Sequence, residues 1–133
     1  MGAAEEIGAL LVADGVVGAS LVFYGALPDD TPDKCLAIIP SPSGLPPGRK
    51  FGQAGIGYDR PRFQILCRGD RKDYQSAEAL ALAAYESVAA VQAATLSGTF
   101  YHGLEPAAAP GYVGEDKNRR PLFSLNVQGE REP

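Results

Sequence analysis

Two stretches of the chain repeat one pattern, in which Arg-Pro-x-Phe opens an alternating apolar run. The first is YDRPRFQILCRGD over residues 58–70, and the second is GEDKNRRPLFSLNVQGE over residues 114–130. Proline has no amide hydrogen, so it is tolerated at the first residue of a strand but not on a central rung. Pro61 and Pro121 therefore predict the starts of two strands.

Period-two alternation assigns the side chains of these two strands to opposite faces of a sheet. The apolar face carries Phe63, Ile65 and Cys67 in the first strand and Phe123, Leu125 and Val127 in the second. The polar face carries Gln64, Ser124 and Asn126. Both strands are expected to be half buried. Two ordinary strands that begin in the same way would explain this pattern without any function.

Two helices are predicted from apolar residues at helical spacing. The first covers about residues 3–14 and ends at Gly15, because glycine commonly follows the last helical residue. The second is capped by Asp73 and runs to about residue 93. Its apolar stripe consists of Ala77, Leu80, Ala81, Ala84, Val88 and Val91.

Three further strands are predicted from runs of β-branched and aromatic residues bounded by turn signals. They are SLVFYGAL, KCLAII and GTFYHGL, over residues 20–27, 34–39 and 98–104. A single α+β domain over residues 1–133 is expected, with a mostly antiparallel sheet of about four to five strands. The two helices are expected to pack on one face, and the last strand is a candidate for the sheet edge.

A long loop is predicted over residues 40–57, PSPSGLPPGRKFGQAGIG. Four prolines and five glycines in this segment exclude a continuous helix or strand. Loops of this length in compact domains are uncommon and are usually functional or mobile.

Composition and charge exclude several classes of protein. With 45% hydrophobic and 21% charged residues the chain is typical of a soluble globular protein, and no apolar run is long enough to span a membrane. Glu5 and Glu6 stand where a signal peptide would carry basic residues. The formal net charge of −4 argues against general affinity for nucleic acid. Cys35 and Cys67 are predicted to be buried free thiols.

The motifs of catalysis and cofactor binding are missing from the sequence. His102 is the only histidine, and GLPPGRKF lacks the glycine and hydroxyl residues that a phosphate-binding loop requires. We therefore predict no enzyme activity, no catalytic residues, no metal site and no cofactor. The remaining features suit an interaction protein: a Gly/Pro loop, charged strand starts and a possible edge strand.

The order of these motifs resembles that of the tail-terminator, or tail-completion, proteins of long-tailed phages, which are often labelled minor capsid proteins. The most specific parts of the resemblance are the two Arg-Pro strands. In the first, Asp59, Arg60, Pro61 and Arg62 match; in the second, Glu115, Asp116, Asn118, Arg120, Pro121, Phe123, Ser124 and Asn126 match. The family pattern commonly has glycine where this chain has Arg119, so the geometry of that turn is expected to differ.

The resemblance implies a virion structural protein, assembled in the host cytoplasm, that forms a homohexameric ring at the head-proximal end of the tail tube. Its implied partners are other copies of itself, the tail tube protein and a head-tail connector. No membrane and no sequence-specific nucleic acid are expected, although the lumen of the ring would pass DNA. The alternatives are another head-tail connector or completion protein and, from a different class, a small cytosolic ligand-binding domain or enzyme.

Candidate residues follow from the charges and from the resemblance. The candidate contacts with neighbouring subunits or the tube are Arg49, Lys50, Phe51, Arg60, Arg62, Asp116, Arg119 and Arg120. The candidate core consists of Phe63, Ile65, Leu80, Ala84, Val88, Phe123 and Leu125. Replacing Arg119 and Arg120 together by Glu is expected to prevent ring assembly while leaving the subunit folded.

Overall fold

The computed structural model describes residues 2–41 and 59–132. Its two α-helices are α1, Ala3–Ala13, and α2, Tyr74–Ala89. The strands are β1 Val22–Tyr24, β2 Cys35–Pro40, β3 Arg62–Arg68, β4 Gln92–Leu96, β5 Thr99–Pro106, β6 Gly111–Glu115 and β7 Pro121–Arg131. This confirms the α+β class, but the seven strands exceed the predicted four to five. Residues 42–58, which hold most of the predicted loop with Arg49, Lys50 and Phe51, lie outside the described part.

All seven strands belong to one sheet in the order β1-β2-β3-β7-β5-β4, with β6 also paired to β7. Every pair is antiparallel except β1 and β2, which run parallel. β7 is bonded to β3 along one side and to β6 and β5 along the other. The prediction that the last strand lies at the sheet edge is therefore wrong.

The two strands with the repeated Arg-Pro-x-Phe pattern are direct neighbours at the centre of the sheet. Their apolar residues face one another across the ladder as Phe63↔Val127, Ile65↔Leu125 and Cys67↔Phe123. On the opposite face, Gln64 Nε2 donates to Ser124 Oγ at 2.8 Å. Each of the two strands thus contributes its apolar residues to one face of the sheet and its polar residues to the other, because side chains alternate with a period of two.

The core lies between this apolar row and the two helices. It contains Ile7 and Leu11 of α1 together with Leu80, Ala84 and Val88 of α2, and each of the seven candidate core residues is at most 4% exposed. Both cysteines are buried and free, as predicted. Burial raises the pKa of the Cys67 thiol to about 12, so at neutral pH it is a protonated apolar side chain.

The second helix begins where the sequence predicts and ends earlier. The Asp73 carboxylate accepts from the backbone N–H of Ser76 at 3.2 Å, which is the expected cap. The helix stops at Ala89 rather than near residue 93, and β4 begins at Gln92. Alanine favours helix over strand, so the run of alanines conceals this boundary. Ala93 has a φ of 48°, a left-handed conformation that alanine rarely adopts.

Two other elements depart from the sequence prediction. The first predicted strand, over residues 20–27, is reduced to Val22–Tyr24, preceded by a 3-10 turn. β6 was not predicted at all. It is exposed along most of its length and contains two glycines, so it shows neither the alternation nor the composition that marks a half-buried strand.

Candidate assembly interface

The tight turn between β6 and β7 is organised by the Asp116 carboxylate. Its Oδ1 accepts from the backbone N–H groups of Asn118, at 2.9 Å, and Arg120, at 3.0 Å. Arg119, at the position where the family pattern has glycine, has a φ of 63°. Arg119 therefore adopts the left-handed conformation that glycine would adopt. This conformation costs free energy in a residue with a side chain, and the hydrogen bonds to Asp116 offset that cost.

Arg120 is a candidate interface residue, but its guanidinium is buried inside the subunit, with only 2% of the side chain exposed. Nε donates to Asp116 Oδ2 at 2.7 Å, and the terminal nitrogens donate to the backbone carbonyls of Asp29 and Asp30. Nη1 also lies 3.2 Å from Asp33 Oδ1. Arg120 thus holds the connection between β1 and β2 against the β6–β7 turn.

Arg68 supports the same connection from β3. Its side chain donates to the carbonyls of Pro28, Pro32 and Asp33 at 2.6, 2.7 and 2.9 Å. We call Arg68, Arg120 and Asp116 the arginine clamp. The clamp satisfies carbonyl groups of the connection that have no strand partner and that face the buried guanidinium of Arg120.

Ionisation of Asp116 is part of the clamp. Burial alone would raise the pKa of Asp116, but the hydrogen bonds from the backbone and the side chain of Arg120 outweigh it, so the pKa lies below its usual value. The clamp is therefore most stable above the pH range in which free aspartates titrate. Replacing Arg120 by Glu would place a carboxylate beside Asp116, so the expectation that the double Glu variant stays folded is not supported.

The other described candidates lie on the surface or at its margin. Arg119 is 65% exposed and its Nε lies 3.1 Å from Glu115 Oε1, an ion pair of the weak, solvated kind. Arg62 is exposed on the polar face of β3, opposite Gln128 of β7. Arg60 is partly buried. The structure gives the identical neighbours Arg119 and Arg120 different environments, and no sequence signal distinguishes them.

A second buried ionic group joins the N-terminal helix to the end of β7. Glu6 is 1% exposed, and its Oε1 accepts from Tyr101 Oη and Arg131 Nη1, each at 2.8 Å. Arg131 also pairs with Asp59, at 3.6 Å, and its backbone exchanges two hydrogen bonds with the backbone of Asp59. Burial alone would raise the pKa of Glu6, but interactions with the Thr99, Tyr101 and Arg131 side chains outweigh it and lower that pKa.

Replacing Glu6 by Gln is expected to lower the free energy of unfolding at pH 7 by about 1.5–3 kcal/mol, since charge-assisted hydrogen bonds are lost. Because the folded-state pKa of Glu6 is depressed, its contribution is present above the ordinary value of 4.5 and is lost as the pH falls through the folded value. Urea titrations of both proteins should therefore converge as the pH is lowered below 4.5. The exposed neighbour Glu5→Gln is the control, and equal effects of the two substitutions would contradict the prediction.

An exposed apolar surface lies beside β6, which is paired with β7 alone among the strands that the structure describes. Tyr112 and Val113 are 51% and 59% exposed, and Tyr74 at the start of α2 is 45% exposed. The Tyr74 ring lies 5.1 Å from Tyr112 and 5.2 Å from Phe123 between centroids. Sequence reasoning missed this surface because it depends on β6. We call Tyr74, Tyr112 and Val113 the aromatic edge.

An open groove of about 450 Å³ lies near the other end of β7. It is lined by Val91, Gln92, Ala93, His102, Gly103, Leu104, Glu105, Gln128 and Glu130. We call it the acidic groove, after Glu105 and Glu130. His102 Nε2 lies 3.1 Å from the neighbouring Glu132 carboxylate and is 40% exposed.

Two other kinds of feature are absent from the described part of the chain. Within residues 2–41 and 59–132, no three or more His, Cys, Asp or Glu side chains are grouped so that they could hold a metal ion. No helix described by the structure combines the length and the apolar character needed to cross a membrane.

Comparisons with known proteins identify the family. The model of the family described as "Bacteriophage tail terminator protein" matches residues 8–132. A comparison with curated proteins found no match. Among solved structures, a chain of the "Virion of native gene transfer agent (GTA) particle" has the same fold, with a TM-score of 0.60 and 20% identity. The match covers 94% of this chain and 86% of that chain.

The family match spans both Arg-Pro strands, the β6–β7 turn and both helices except the first residues of α1. The chain belongs to the bacteriophage tail terminator family and is a structural protein of the virion tail.

Proposed function

We propose that this chain forms a homohexameric ring at the head-proximal end of the tail tube, where it stops tube growth and forms part of the head-tail joint. The observation that carries this proposal is the aromatic edge. Three large apolar side chains about half exposed, beside a strand edge with which no described strand pairs, are typical of a protein-protein contact rather than of a monomer surface.

A ring imposes a requirement that the subunit can meet. Rotational rings use heterologous contacts, in which two different surfaces of the subunit meet in each interface. The aromatic edge and the acidic groove are two such surfaces, and the exposed Arg62 and Arg119 are further candidates for contacts with a neighbour or the tube. Arg120 and Asp116 would act indirectly, by fixing the turn that carries Arg119.

The ring would have a partner on each side. The tail tube protein would bind one side, and a head-tail connector would bind the other after the tube is complete. The lumen would pass DNA without reading its sequence, which fits a chain with a formal net charge of −4. Assembly would take place in the host cytoplasm, before the tail joins the head.

The proposal is tested by light scattering after size-exclusion chromatography and by electron microscopy of assembling tails. We expect a species of six subunits, either alone or after addition of tube protein, and tubes of defined length that carry a ring at one end. Tubes assembled without this chain should be longer and variable in length. A monomer in every condition, with tubes of unchanged length, would contradict the proposed function.

A further inference from the structure

The geometry points to one specific contact between copies of this chain. We propose that the aromatic edge of one subunit docks into the acidic groove of the next, and this inference rests on the proposed ring. The contact would be heterologous, because the two surfaces differ in shape, composition and charge.

The aromatic edge combines apolar side chains with unpaired backbone. β6 is bonded to β7 on one side, and none of the strands the structure describes is bonded to its other side. Glu115 is the one charged residue of β6, so few charged side chains prevent this edge from pairing with a strand of another chain. The exposed rings also present phenolic hydroxyls, which can donate hydrogen bonds to carboxylates.

Basic residues lie near the aromatic edge, before Tyr74 and in the β6–β7 turn, together with Asp70 and with Asp73, which caps α2. The backbone N–H of Lys72, two residues before Tyr74, donates to the carbonyl of Arg119 in the β6–β7 turn, at 2.8 Å. Arg71, Lys72 and Lys117 are exposed, and within residues 2–41 and 59–132 the structure gives none of them an ion pair. These three cations therefore remain available to a carboxylate of a partner.

The acidic groove offers the complementary charge. Glu105 lies on β5 opposite Gln128 of β7, and Glu130 lies two residues further along β7, at the groove wall. In the described ranges neither carboxylate forms an ion pair. The acidic groove has a volume of about 450 Å³, which is within the range of pockets that bury organic groups. Aromatic side chains can therefore enter the groove.

The aromatic edge and the acidic groove of one subunit cannot meet. β6 pairs with β7 at Pro121–Ser124, whereas the groove contains Gln128 and Glu130. At about 3.3 Å per residue the two surfaces lie roughly 20 Å apart on one continuous sheet. Their complementary groups can therefore pair only between copies, and charge complementarity would fix the register of the contact.

Charge reversal tests this contact in the full-length protein. The groove variant Glu105→Lys/Glu130→Lys and the edge variant Arg71→Glu/Lys72→Glu should each raise the subunit concentration needed for ring formation roughly tenfold or more, since like charges then face each other. The variant that combines all four substitutions should restore rings. Light scattering measures assembly, and thermal melts check folding.

The control is Glu86→Lys, a single charge reversal on the exposed side of α2, and it should leave assembly unchanged. Val113→Glu, which places a like charge opposite the groove, should reproduce the loss with one substitution. Rings that persist in the groove variant, or that the combined variant fails to restore, would overturn the proposed contact and leave the ring itself standing. A wild-type chain that stays monomeric with tube protein would overturn both proposals.

Discussion

Replacing Arg120 by Met should lower the free energy of unfolding at pH 7 by about 3–5 kcal/mol, because it removes the buried guanidinium and leaves the Asp116 carboxylate, 19% exposed, without its main partner. The backbone carbonyls of Asp29 and Asp30 lose their donors as well. Methionine approximates the length of the arginine stem, so most of the loss is electrostatic. Urea or thermal unfolding measures it.

Arg119→Met is the matched control, since the two arginines are adjacent and equal in charge. Arg119 is 65% exposed, so the loss of its ion pair with Glu115 should cost about 0–1 kcal/mol. Equal stabilities of the two variants would contradict the role of the arginine clamp. Because the Asp116 pKa is depressed, the gap between wild type and Arg120→Met should narrow in acid, where Asp116 becomes protonated.

Phe123→Ala should destabilise the fold by about 3–5 kcal/mol, because it leaves a cavity in the central row of the sheet. Phe123 is 4% exposed and stands opposite Cys67 of β3. Its ring also lies 5.5 Å from that of Tyr112, so the truncation removes support from the aromatic edge. Denaturant titration measures the stability loss.

Ser124→Ala is the control for Phe123→Ala, because Ser124 is the next residue of β7 and points to the polar face. It removes one partly buried hydrogen bond from Gln64 and should cost about 1 kcal/mol or less. If both substitutions proved equally harmless in thermal melts, the assignment of the two faces would be wrong.

Patterns within one strand or one helix were sufficient to predict much of this fold. The alternation in β3 and β7 gave the correct faces, and Asp73 gave the correct start of α2. Both signals are local, since a strand period and a cap involve residues close together in sequence. The pairing of β3 with β7 was not predicted, because strand neighbours are chosen by contacts between distant segments.

The misses concern elements without a local signal. β4 follows a helix through an alanine-rich boundary, and β6 is short, exposed and rich in glycine. The aromatic edge depends on β6, so it could not be inferred from the sequence. The burial of Arg120 depends on the carbonyls of Asp29 and Asp30, about ninety residues earlier in the chain.

The central place of β7 has a consequence for how the chain folds. β3 and β5 are both synthesised before β7, and each pairs with β7 in the sheet. The sheet therefore cannot be completed until the β7 segment has left the ribosome. Until then β3 and β5 each expose an unpaired edge, and such edges favour aggregation. Pairings this distant in sequence also close slowly. A pulse-labelling experiment on nascent chains should therefore find that the β3 amides that donate to β7 stay unprotected until β7 is available.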